Sequence, residues 1–306
     1  MLKEIVTRFP VRNSDEQKSA FLAWVLDKAK ASGIPGRVET DGKHRNAVFG
    51  DPDTAKVIFT AHYDTPRRML LPNLMLPCSR FLFWCYQIGI VLMILIPSIL
   101  AGLAAGWLTS EWLTNSRPLI LAVYLAVYLG LFLLFFRGRP NPGNVNDNTS
   151  GTAAVLGILF ALPEEERSKA AFILFDNEEK GKLGSKAYAK AHPEISLRTP
   201  LINLDCVGVG DRFVVIERKD FAAHPSHPVL EAALSALPNV CITPANKATA
   251  NSDHLSFKAS AYIGACKRSA RGILYTPNIH TPKDRTADEN NLSALRGMGC
   301  DLIRRL

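Results

Sequence analysis

The sequence predicts an α/β protein, a mixed and mostly parallel sheet sandwiched by helices, with a transmembrane helical hairpin inserted into it. Three observations carry this. Short apolar runs alternate with longer helical patterns along most of the chain, the pattern of strands joined by crossover helices. Residues 81–110 and 118–136 contain no charged residue at all. The apolar runs before and after those two stretches read as strands of one sheet with a shared core.

Taken in order, residues 14–32 open with Ser14 as a possible N-cap, carry Phe21, Leu22, Val25 and Leu26 as an apolar stripe, and stop at Gly33. GRVETD, NAVFG and AKVIFTAHYD then read as strands separated by the turns DGKHR and DPDT. The third is a continuous apolar run, as expected of a central strand covered on both faces. Beyond the charge-free stretches, TSGTAAVLGILFAL reads as a helix, AAFILFD as a buried strand and GSKAYAKAH as a helix. TPLINLDCVG and RFVVIE are expected strands, SHPVLEAALSAL a helix, SAYIGACK and GILYTPN strands, and residues 288–306 a closing helix. Residues 1–66 and 141–306 are therefore expected to form one discontinuous domain, with 67–140 as the inserted hairpin and its flanks.

At ~1.5 Å per residue the second charge-free stretch spans roughly 28 Å, and the first has length to spare for a hydrocarbon core about 30 Å thick. Neither shows the polar face that a helix at the surface of a soluble domain would carry. Arg67, Arg68 and Arg80 precede the hairpin and Arg137 and Arg139 follow it, whereas the short connection offers Arg117 and Glu111. The positive-inside bias places both flanks, and with them both termini and the rest of the chain, in the cytoplasm. MLKEIVTRFPVRNSDEQKSA has charges throughout and no apolar core, so no secretory leader is expected there. The six cysteines form no CxxC pair and are expected to be reduced, mostly buried thiols. The net charge of +8 comes without a long Lys/Arg run, so nothing points to nucleic acid as a partner. Lipid, through residues 81–110 and 118–136, is the expected surface contact.

Chemistry concentrates in five short motifs: His62 in TAHYDTP, Asp147 in NPGNVNDNTSG, Glu178 and Glu179 in FDNEEKGKLGS, Asp205 in NLDCVG and His280 in NIHTPKD. Most of these residues end or closely follow an expected strand, where open α/β sheets place their sites. Asp147 instead sits in a Gly/Asn-rich loop directly before a helix. Histidine and carboxylate donors without thiolate suit catalytic zinc with an open position for water, and ligand type also admits cobalt or manganese. Glu178, beside a ligand candidate, is placed to act as a general base. Gly181 and Gly184 are expected to shape the turn that aims the two glutamates, and Cys206 to pack rather than ligate.

These motifs, H-Y-D after a strand, N-D-N-x-S-G before a helix, E-E-x-G-x-x-G-S, a strand-end Asp and I-H-T-x-x-D, resemble those of the M28 family of two-zinc aminopeptidases. The resemblance runs from about residue 40 to the end, interrupted by the hairpin, and implies a zinc-exopeptidase-like fold. By that resemblance Asp147 bridges two metals, His62 and Asp205 complete one site, and Glu179 and His280 complete the other. Glu178 is then the general base, and Asp64 the carboxylate that orients the His62 imidazole. The resemblance also implies a cis peptide bond between Asp147 and Asn148. Ser252, Asp253 and His254 are similar to the family's substrate-pocket segment, or else cap a helix. The chemistry expected is peptide hydrolysis by a metal-bridged hydroxide, with Glu178 carrying the proton to the leaving amine. Relatives in the family have a short connection where this chain has a hairpin, so its substrates are expected to be met near the membrane. Two other functions share the fold: glutaminyl-peptide cyclisation, typically on one zinc, and a catalytically inactive receptor or scaffold.

Overall fold

The computed structural model describes residues 1–71, 73–109 and 115–306, and the expected connection residue Glu111 lies outside them. Helices α1 (Leu2–Arg8) and α2 (Asp15–Ala31) lead into strands β1 (Gly36–Asp41), β2 (His44–Phe49) and β3 (Val57–His62). Two long helices follow, α3 (Arg80–Thr109) and α4 (Arg117–Phe136). The chain then returns through α5 (Gly151–Ala161), β4 (Ala170–Phe175), α6 (Leu183–Ala191), α7 (Pro193–Arg198), β5 (Leu201–Leu204) and β6 (Arg212–Glu217). It closes with α8 (Lys219–Ala222), α9 (His227–Ser235), β7 (Cys241–Pro244), β8 (Ser260–Arg268), β9 (Leu274–Tyr275) and α10 (Glu289–Arg305).

The strand order is β1-β2-β4-β3-β5-β8-β6-β7, with β9 added antiparallel to β8. Pairs β3–β4, β3–β5, β5–β8 and β6–β7 are parallel, and β1–β2, β2–β4 and β6–β8 antiparallel. Every residue of β3 and β4 is buried, which is why these runs carry no polar alternation. One core cluster joins Phe59 and Ala61 of β3 to Phe172 of β4, Ile202 of β5 and Leu295 of α10. A second, on the opposite face, joins Ile58, Ile173 and Phe175 to Tyr188 of α6 and Phe257. Strands from both sides of the long helices thus share one sheet. Its central strand precedes them and both of that strand's neighbours follow.

Ser14 caps α2 as expected, accepting from Gln17 N while the Gln17 side chain accepts from Ser14 N. Several short elements were not anticipated: α1, α7, α8 and β7. Each is four to seven residues long, too short for a periodic pattern to register. GILYTPN supplies only the two-residue strand β9, because its second half turns away to carry His280. The cysteines also depart from expectation. Cys206, Cys266 and Cys300 are buried, but Cys78 and Cys85 are exposed and Cys241 lies between. Cys78 and Cys85 belong to the approach to α3 and to its first turns, which the sheet does not cover.

Helices α3 and α4 are long and apolar enough to cross a membrane by length and composition. They pack on each other along one stripe of α3, Ile90, Ile94, Ser98, Gly102 and Gly106, spaced four residues apart. A Cβ on Gly102 would lie 2.9 Å from the Ile120 carbonyl oxygen, and one on Gly106 would lie 2.6 Å from the Ile120 Cδ1, so close approach requires glycine at both. Most other large side chains of the pair, such as Leu100, Leu103, Leu125 and Leu129, are exposed. At the base of the pair, Arg67 bridges Pro140 and Arg68 N donates to Arg139 O. The chain therefore leaves and rejoins the sheet domain at adjacent points.

Candidate metal centre

Strands β4, β3 and β5 are parallel neighbours, so their carboxyl ends open on the same edge of the sheet. His62 is the last residue of β3, Asp205 follows β5, and Glu178 and Glu179 follow β4 by a short turn, Glu178–Lys180. Asp147 comes from the irregular turn Val145–Ser150 before α5, and His280 from the loop between β9 and α10. All of them converge.

Asp147 is the centre. Its Oδ1 lies 3.5 Å from His62 Nε2, and its Oδ2 lies 3.1 Å from His280 Nε2. The same His62 nitrogen is 3.7 Å from Asp205 Oδ1, and the same His280 nitrogen is 3.3 Å from Glu179 Oε2. One carboxylate thus shares its two oxygens between two half-sites, each completed by an imidazole and a second carboxylate. Glu179 Oε1 and Asp205 Oδ1 are buried without a hydrogen-bond partner. Buried carboxylate oxygens are seldom left unsatisfied, and a cation is a sufficient partner. His62, Asp147 and Glu179 each offer a ligand atom within 4.8 Å of the others, as do Asp147, Asp205 and Cys206. The donor set fits zinc.

The supporting contacts are specific. His62 Nδ1 is 3.2 Å from the Asp64 carbonyl oxygen and 3.5 Å from its Oδ1, leaving Nε2 for the centre. Asp64 Oδ1 accepts from Glu178 N at 3.0 Å and its Oδ2 from Glu179 N at 3.2 Å, so it also fixes the turn carrying both glutamates. Asp284 does the same for the bridge, accepting from Asn146 N and Asp147 N at 2.8 and 2.9 Å. The Asp147–Asn148 peptide bond is cis. Asn148 Oδ1 accepts from Gly151 N and Cys206 N, tying the Asp147 turn to the Asp205 turn. Asn177, Lys182, Cys206 and His280 adopt left-handed backbone with φ of 54°, 60°, 57° and 60°. Strain of this kind collects at functional sites. Gly184 must be glycine, since a Cβ would run into the Asp176 carbonyl oxygen.

Two buried cations, both overlooked in the motifs, hold this acidic cluster. Arg12 is fully buried and donates to Tyr63 O, Phe9 O and Thr149 Oγ1, joining the end of β3 to the Asp147 turn. Lys18 Nζ donates to Asp176 Oδ1 at 2.7 Å and Asn177 Oδ1 at 2.9 Å, directly before Glu178. Lys18 stands one turn before Phe21 and Leu22 on the buried face of α2, and that misplaced charge was its signal in the sequence.

Burial alone disfavours the His62 imidazolium, but the nearby carboxylates of Asp147, Asp205 and Asp64 outweigh it and hold its pKa well above the usual range. Burial pushes Glu178 and Glu179 well up. Asp147 goes the other way: burial is overcome by hydrogen bonds with His280 and His62, and its pKa falls.

Ser252, Asp253 and His254 are all buried, behind the wall of the cavity that the centre opens into. Ser252 makes no capping hydrogen bond, and its Oγ accepts from Asn203 Nδ2. Burial raises Asp253 to about 7 and lowers His254 to about 3. The cavity, about 200 Å³, is lined by the acids and His280, by Asn73, Met75 and Ile279, and by Lys182 and Asn251.

The profile of Peptidase family M28 matches residues 137–299, starting where α4 ends. No curated protein sequence matches the chain. Among solved structures, the Legionella pneumophila LapA aminopeptidase is 14% identical with a TM-score of 0.60, over 100% of this chain and 67% of that one. A Porphyromonas gingivalis glutaminyl cyclase is 15% identical with a TM-score of 0.58, over 99% of this chain and 95% of that one. At such identities the likeness is one of fold. The profile takes in Asp147, Glu179, Asp205 and His280, and the sheet brings His62 to them from outside it. With more than half of its residues matched, the chain belongs to peptidase family M28.

Proposed function

We propose that the protein is a membrane-anchored, zinc-dependent aminopeptidase that removes N-terminal residues from peptides. The observation that carries this is the division of Asp147 between His62 and His280, with unsatisfied oxygens on Asp205 and Glu179 beside them. In this reading His62, Asp205 and one oxygen of Asp147 hold one zinc ion, and His280, Glu179 and the other oxygen hold a second. When bound, zinc in such a site polarises a substrate carbonyl and makes water acidic enough to attack at neutral pH. Glu178 takes the proton from the attacking water and delivers it to the amine as the C–N bond breaks. Its raised pKa suits a group that must both accept and return a proton. Asp64 holds the backbone of Glu178 in place and keeps the His62 ring turned toward the centre.

In the same reading residues 1–66 and 141–306 are one catalytic domain and 67–140 an insertion. The exposed apolar faces of α3 and α4 meet lipid. Arg67, Arg68, Arg80, Arg137 and Arg139 gather at the domain end of the helices, a bias that supports a cytoplasmic catalytic domain.

The likeness to a glutaminyl cyclase, over 95% of that protein's chain, supports a second reading: cyclisation of N-terminal glutamine with loss of ammonia on a single metal. One experiment separates the two. Full-length protein purified in detergent and loaded with zinc is given a peptide library and the products are read by mass spectrometry, with Glu178→Gln as the control. Stepwise loss of N-terminal residues, reduced about 100-fold or more in the control at unchanged metal content, is expected. Loss of ammonia from N-terminal Gln peptides, with one zinc per chain, would establish the cyclase instead.

A further inference from the structure

The cavity over the centre is lined by Asp147, Glu178, Glu179 and Asp205, and also by a cation and two primary amides: Lys182, Asn251 and Asn73. The Lys182 ammonium is held by Asn251 Oδ1 at 2.5 Å, and no carboxylate pairs with it among the described residues. Asn251 therefore keeps its NH2 group as a donor for a further acceptor. Lys182 stands in left-handed backbone, φ 60°, three residues beyond Glu179 on the turn that leads into α6, and its own carbonyl accepts from Lys186 N. Asn73 comes from the segment between β3 and α3, which lies against the His280 loop: Asn73 N donates to Ile279 O and Met69 N donates to His280 O.

With the acids engaged by metal, Lys182 has no carboxylate of its own among the described residues, and its complement on a ligand is an anion. At about 200 Å³ the cavity is small, below the ~300–1,000 Å³ of usual ligand sites. An extended chain advances about 3.3–3.6 Å per residue, so a ligand of about two residues brings both of its ends within reach of the walls. We propose that Lys182, supported by Asn251 and Asn73, binds the free C-terminal carboxylate of dipeptides and tripeptides, making this a peptidase of very short zwitterionic peptides. The inference deepens the peptidase reading and rests on it. The reaction is the hydrolysis already described, one water consumed per C–N bond broken, and Lys182 takes no part in proton transfer.

The test compares dipeptides and tripeptides that have a free C-terminus with their C-terminal amides, using full-length protein in detergent. Binding is measured by calorimetry on zinc-loaded Glu178→Gln, where turnover does not intrude, and kcat/KM on the wild type. Amidation is expected to weaken binding by about 10- to 100-fold, the factor for a charge-assisted hydrogen bond, with the kinetic loss falling mainly in KM. Lys182→Met in the Glu178→Gln background is expected to bind acid and amide alike, and Lys182→Arg to restore the preference for the acid. Equal binding of acid and amide by the Lys182-containing protein would overturn the carboxylate anchor whatever the catalytic outcome. Absence of cleavage by the wild type, with the binding preference intact, would overturn only the peptidase reading on which the substrate assignment rests.

Discussion

Lys18 and Asp176 form an ion pair with both side chains 1% exposed, and the pair sits one residue away from the turn that carries Glu178. Removing one partner of such a pair leaves a bare charge in the interior, at a cost of about 3–5 kcal/mol. Lys18→Met is expected to lower stability by that order in chemical denaturation. The double variant Lys18→Met/Asp176→Asn should recover part of it, and strictly additive losses would show that the pair is not coupled. Protons give a second prediction. In the metal-free protein His62 and Glu179 both have raised pKa values, for different reasons, so each keeps its proton to higher pH than usual and a metal ion must compete with it. Zinc affinity should therefore fall as pH is lowered, by about tenfold per unit for each proton released. Calorimetric heats that depend on the buffer's ionisation enthalpy would report that release, and heats identical in all buffers would refute it. The acids and imidazoles that the structure brings together were legible in the sequence because most sit in a short polar motif at the end of an apolar run, and Asp147 in a Gly/Asn-rich loop directly before a helix. Arg12 was not, since an arginine twelve residues into a charged segment looks solvated until the fold wraps that segment across the end of β3.

Among the elements, the turn between β4 and α6 tolerates least. It contains left-handed Asn177, Gly181 and Lys182 in close succession and ends on Gly184, whose missing side chain admits the Asp176 carbonyl. Gly184→Ala is expected to destabilise the protein by about 1–3 kcal/mol, read as a lowered melting temperature, and to reduce activity by displacing Glu178 and Glu179. Wild-type melting and turnover in that variant would show that the turn can yield. Buried strands β3, β4 and β8 and the helices α2, α5 and α10 were legible from run length and period. The short elements β7 and α7, which carry no continuous buried apolar run, were not, because tertiary packing rather than local pattern decides them.

For the molecule as a whole, orientation is the open variable. If the arginines at the base of α3 and α4 set it, a fluorescent protein fused after Leu306 should fold and a periplasmic phosphatase fused there should stay inactive. The reverse pattern would place the catalytic domain across the membrane. The two long apolar helices were legible from two charge-free runs, whereas the approach of the preceding segment to the cavity through Met69, Asn73 and Met75 was not, since a connecting segment carries no pattern that says where it packs.

The position of the helical pair within the sheet bears on how the protein is made. Strand β3 ends at His62, but its neighbours β4 and β5 begin only at Ala170 and Leu201, beyond both long helices. At a synthesis rate of about 5–20 residues per second, the nascent central strand waits several seconds at least without either neighbour. In the membrane-anchored reading the hairpin would reach the insertion machinery during that interval. Membrane integration would then precede closure of the sheet, and a chain whose hairpin failed to insert would present β3 unpaired, an apolar edge open to aggregation.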